Sequence, residues 1–122
     1  MTKPARRPAR YDDILDVPDT KVAEIIDGEV IVSPRPASPH ANAASGILSD
    51  IHGEFHRPLG DRGHPGGWWI LTEPELHFWD DVLVPDQAGW RRERVPKLAN
   101  VAAFTDAPDW VCEVISPSTG RI

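Results

Sequence analysis

Apolar residues return along this chain with two different periods. Ala44, Ile47, Leu48, Ile51 and Phe55 recur at the spacing of one helical face, which predicts a helix over residues 40–56. Ser38 is a suitable N-cap before it, and Pro39 suits the first helical position. Elsewhere the apolar runs are short and β-branched. Residues 22–26 and 29–32 flank Asp27-Gly28, the dipeptide that most strongly signals a tight hairpin, and residues 33–36 end the second strand. Residues 68–71 and 75–79 read as strands interrupted at Pro74, Asp80-Asp81 turns the chain into a strand over residues 82–86, and residues 110–115 read as another. A short helix over residues 11–17 stops at Pro18. Residues 58–67 form a Gly/Pro-rich loop, residues 91–108 read mostly as loop, and residues 116–119 break the last strand.

Two carboxylates interrupt this pattern. Glu113 lies inside Trp110-Val111-Cys112-Glu113-Val114-Ile115, the most apolar stretch of the chain. Such a run reads as a strand covered on both faces, where a carboxylate is costly unless it is paired. That predicts a largely buried Glu113 beside an arginine, backbone donors or a metal ion. The ordinary alternatives are a buried ion pair or an edge-strand acid facing water. Asp86 closes Val82-Leu83-Val84-Pro85-Asp86, where proline suits a strand end and ligand-facing residues often lie. An Asp that begins a turn is the common alternative. Together the two acids make a candidate site for a hard cation such as magnesium. Glu24, within residues 22–26, either points at that site or faces water on an alternating strand.

Composition narrows the setting. The chain has 122 residues, enough for one domain with a modest core. Its 13 prolines require many turns. Cys112 is the only cysteine, so no internal disulfide forms; the expectation is a small core hydrophobe in a reducing, cytoplasmic setting. No apolar stretch approaches membrane-spanning length. The net charge of −6 argues against a protein that coats nucleic acid electrostatically, yet a nuclease with an acidic metal site remains compatible. Lys3, Arg6, Arg7 and Arg10 mark residues 1–10 as a flexible basic leader ahead of a domain over residues 11–122.

Other groupings carry less. His52 and His56 share a helical face but lack the further ligands zinc requires, so a solvated polar face is the simpler expectation. Ser116, Ser118 and Thr119 lack the strand–elbow–helix setting of a serine nucleophile. The five tryptophans read as core or loop anchors rather than base-stacking platforms.

Taken together, Glu24-Ile25-Ile26-Asp27-Gly28-Glu29, Ser33-Pro34 with His40 opening a helix, Val84-Pro85-Asp86, and the stretch from Pro108 to Thr119 resemble the Uma-two family of proposed restriction endonucleases in the PD-(D/E)XK nuclease superfamily. The similarity runs from Tyr11 to Thr119. It implies an α+β, restriction-endonuclease-like fold with a central mixed sheet and flanking helices. It implies a Mg2+ or Mn2+ site that hydrolyses phosphodiester bonds in nucleic acid, with DNA expected. Asp86 and Glu113 match the metal-binding acids, while Glu24 and His40 match supporting positions. The superfamily places a lysine two residues after the second acid, where this chain has Ile115. By resemblance, the family's lysine, last strand and C-terminal helix would lie beyond Ile122, so the short chain is expected to be impaired or completed by a partner, a second copy included. Two other readings compete: a non-catalytic nucleic-acid or protein-interaction module on a nuclease scaffold, and a non-functional gene fragment.

Overall fold

The structure is a computed structural model and describes residues 7–34, 38–98 and 103–115. It is an α+β fold in which two sheets pack face to face. A five-stranded mixed sheet has the order β2-β1-β5-β4-β7, and a three-stranded antiparallel sheet has the order β3-β6-β8.

The first sheet grows from the predicted hairpin. β1 (Lys21–Ile26) and β2 (Glu29–Pro34) pair without a bulge through six consecutive positions. Asp27 (φ 51) and Gly28 (φ 78) supply the two positive φ values that a right-twisting two-residue turn needs. β4 (Glu75–Phe78) and β5 (Asp81–Leu83) form a second hairpin, and Ile25 joins Val82 across β1 and β5. β7 (Ala103–Phe104) adds the only parallel pairing among the described residues, within the stretch expected to be loop. The second sheet comprises β3 (Trp68–Thr72), β6 (Gln87–Arg91) and β8 (Trp110–Cys112).

Alternation along the strands divides the apolar residues between two cores. Ile25 and Val82 turn one way and pack on Ile14, from the short 3₁₀ turn Tyr11–Ile14. Leu76 turns the other way and meets Ala88 and Trp90 of the second sheet, with Trp69, Leu71, Phe78, Leu83, Val95 and Phe104 around them. The Trp90 indole N–H, buried there, donates to the Asp106 carbonyl at 2.8 Å, so its polar atom is satisfied. The far side of the second sheet carries α1 (Ser38–Phe55). Ala44, Leu48, Ile51 and Phe55 are half-buried as the periodicity predicts, while Ile47 is exposed. Ser38 is the first helical residue, so any cap lies outside the described residues.

Three expectations need correction. The run Trp110–Ile115 is not a strand covered on both faces: β8 is three residues long and lies at the border of its sheet, with Val111 and Ile115 exposed. An unbroken apolar run records composition, and the missing periodicity hid an edge. Residues 82–86 are likewise not one strand, because β5 ends at Leu83 and Asp86 stands immediately before β6. Residues 7–10, expected as the end of a flexible leader, lie against the sheet: Ala9 N–H donates to the Gly28 carbonyl at 2.8 Å, and Arg7 pairs with Asp13 at 2.7 Å. The break at residues 116–119 falls outside the described residues.

Candidate active site

Asp86 and Glu113 become neighbours through strand register alone. β6 and β8 pair antiparallel, with Gln87 opposite Cys112. One residue beyond that pair on each strand lie Asp86 and Glu113, and the charges of Asp86 and Glu24 both act on the Glu113 carboxyl. Glu24 on β1 alternates with buried Ile25 and turns toward the second sheet.

Backbone donors set each acid in place. The Glu73 N–H donates to the Asp86 carbonyl at 2.9 Å and fixes the main chain. The Val114 N–H donates to Asp86 Oδ2 at 2.6 Å. The Val84 N–H donates to Glu24 Oε2 at 2.9 Å, so Glu24 is half-buried and tied to the segment that leads into Asp86. His40, in the first turn of α1, places Nε2 3.4 Å from Asp86 Oδ2, and its buried Nδ1 has no hydrogen-bond partner among the described residues. The four residues singled out from the sequence thus converge.

Glu113 is exposed, contrary to the expectation of a largely buried acid. The water-facing acid on an edge strand is closer to what is found. Its carboxyl pKa is nevertheless raised. Partial burial is the largest cause, followed by the negative charges of Asp86 and Glu24; a hydrogen bond from the Asp86 backbone and the proximity of His40 pull the other way. Like charges crowded at one sheet end are what a cation would relieve. The donors are hard oxygens with lone pairs beyond those already engaged, which suits magnesium or manganese better than zinc. No group of three or more acids, histidines or cysteines among the described residues is arranged to hold a metal by itself.

Sequence reasoning missed Gln87. It is fully buried beside Asp86, and its Nε2 donates to the Ala44 carbonyl at 2.8 Å, tying α1 to β6. A glutamine following Pro-Asp at the start of a strand was the available signal. The Val84 and Val114 amides were invisible in sequence, since every residue but proline carries one. The other histidine pair is structural. His52 and His56 stack at 4.1 Å, and His56 Nδ1 accepts the Ile70 N–H at 2.9 Å. Burial, then the charges of His52 and Arg92, lowers the His56 pKa.

Residues 8–121 match the Uma2 family, described as "Putative restriction endonuclease". A solved structure from Anabaena variabilis, described as "a putative nuclease belonging to DUF820", superposes with a TM-score of 0.70 at 28% identity, over 91% of this chain and 60% of that one. The chain therefore spans 60% of the length of that relative. No curated protein is similar to the chain at a significant level.

Proposed function

Since this chain belongs to the Uma2 family, we propose that it carries the acidic centre of a metal-dependent endonuclease that hydrolyses phosphodiester bonds in DNA. The observation that supports this reading is the meeting of Asp86 and the Glu113–Val114 segment at the ends of β6 and β8, with Glu24 near enough for its charge to act on Glu113. Asp86 and Glu113 would hold Mg2+ or Mn2+, which when bound would polarise the phosphate and acidify a water. Water molecules and substrate phosphate fill the remaining positions around such an ion, so affinity for the metal alone is weak. The Val114 amide and His40 orient the Asp86 carboxylate. The Val84 amide holds Glu24 where its second oxygen can accept a proton from water or complete the ligand set. The buried His40 Nδ1 is not accessible to substrate, which makes His40 a positioning residue.

The test is calorimetry with manganese, together with plasmid nicking. Asp86→Ala and Glu113→Ala should each abolish metal binding while the circular dichroism is kept. Equal binding by the wild type and both variants would sink the assignment. Cleavage of RNA in preference to plasmid would overturn the choice of substrate alone.

A further inference from the structure

The outer edge of β2 is unguarded among the described residues. Among the described residues β2 pairs only with β1 and ends its sheet. Its centre is Val30-Ile31-Val32, which are 39%, 40% and 45% exposed. Edge strands ordinarily avoid self-association with lysines, bulges, prolines or short length. β2 has no lysine, pairs through six consecutive positions without a bulge, and reaches proline only at Pro34.

Hairpin geometry says which groups this edge presents. A two-residue loop makes Ile26 and Glu29 a hydrogen-bonded pair, and such pairs alternate along the ladder. Glu29, Ile31 and Ser33 therefore turn their backbone groups toward β1. Val30 and Val32 turn theirs outward. Pro34 turns a carbonyl outward but has no N–H.

We propose that β2 is a homodimer interface, in which two copies of this chain pair antiparallel with Ile31 facing Ile31 across a two-fold axis. This register follows from the strand's own residues. Val30 of one copy then stands opposite Val32 of the other, and the pair exchanges both N–H···O bonds; the two-fold repeats the exchange. Glu29 faces Ser33, so the acids do not meet. Centring the axis on Val32 instead would set Val30 against Pro34 and lose donors. Centring it on Val30 would draw Gly28 into the ladder, although Gly28 has φ +78 and its carbonyl already accepts the Ala9 N–H. The sequence is apolar on both sides of Ile31, as a self-complementary strand requires. The five-stranded sheet then continues from one copy into the next. Ile31 stands opposite Glu24 in the hairpin, so the interface lies beside the proposed site, and the tests below read association and register rather than activity.

Sedimentation velocity on the full chain tests the association, and cysteine cross-linking tests the register. The wild type should sediment as a dimer. Ile31→Lys should sediment as a monomer with unchanged circular dichroism, because Ile31 contributes little to the core. In a Cys112→Ser background, Ile31→Cys should form a disulfide-linked dimer under mild oxidation much faster than Glu29→Cys or Val32→Cys. Opposed residues of a non-hydrogen-bonded pair have Cα atoms about 4.5 Å apart, within the range of about 4.4–6.8 Å that a disulfide accepts. A monomeric wild type, a dimer that survives Ile31→Lys, or equal cross-linking at all three positions overturns the proposal. So does a monomer that takes up an unrelated extended peptide on β2, which would assign the edge to a different partner.

Discussion

At the scale of single residues, Glu113 links stability to pH. Its folded-state pKa lies above the ordinary 4.5, because partial burial and the charges of Asp86 and Glu24 favour the neutral acid. Its contribution to stability is fully present below the unfolded pKa and is lost as pH rises through the folded one. Asp13, Asp109 and His56, with lowered pKa values, push the other way, so the expectation is relative: compared with Glu113→Gln, the metal-free wild type should lose stability on going from acid to neutral pH. Urea unfolding of both proteins across this range measures the difference. Saturating magnesium should restore part of the loss in the wild type and none in the variant. A slope unchanged by Glu113→Gln would mean that the acids do not sense one another. Glu113 was singled out from sequence for a reason that did not hold. An acid in an apolar run suggested burial, whereas the side chain is exposed and its shift comes from partial burial and neighbouring carboxylates.

At the scale of elements, local chemistry explains which parts were legible. Asp27-Gly28 can adopt positive φ cheaply, so the first hairpin was plain in sequence. The second hairpin was legible with its turn one residue late, at Asp80-Asp81, because its loop begins with Trp79 at φ 54, a poor residue for that conformation. Trp79 is fully exposed and buries nothing in return. Left-handed backbone costs a residue with a Cβ about 1–2 kcal/mol. Glycine gives back about 0.5–1 kcal/mol of that through its greater unfolded-state freedom. Trp79→Gly should therefore stabilise the chain by about 0.5–1 kcal/mol, raising the melting midpoint by a few degrees. Thermal unfolding followed by circular dichroism checks this, and a loss of stability would show that the indole makes a compensating contact. Gly66 lies at the opposite extreme. A Cβ there would fall 2.0 Å from the Pro58 carbonyl oxygen, at φ +61, so its loop tolerates no side chain without rebuilding. The loop over residues 58–67 was legible as a loop, but this close approach was not.

At the scale of the whole molecule, the long-range pairings were beyond local reading. Nothing near Asp86 announces that β6 leaves the sheet of β5 and joins β3 and β8, yet that switch carries Asp86 to Glu113. The order of motifs supplied the connection by resemblance, and register supplies it physically. Among the described residues, no lysine is placed at the site. Phosphodiester hydrolysis concentrates negative charge on the phosphate, and a cationic side chain beside the metal stabilises it. Lys21 precedes Glu24 by three residues on β1, so alternation turns it to the opposite face. Lys97 lies beyond β6, past the end remote from Asp86. Two residues after Glu113, at the position where the wider superfamily pattern puts lysine, stands exposed Ile115. Removing one preorganised charge-stabilising group costs on the order of a hundredfold to a thousandfold in rate. This chain should accordingly nick plasmid only weakly with manganese. Ile115→Lys should restore activity by on the order of a hundredfold, provided that the extended backbone after Glu113 keeps residue 115 on the same side. The gain must disappear when Asp86→Ala is added, which separates a rebuilt site from non-specific binding by the new cation. Robust cleavage by the unmodified chain, itself lost on Asp86→Ala, would show that charge stabilisation at this centre needs no lysine at position 115.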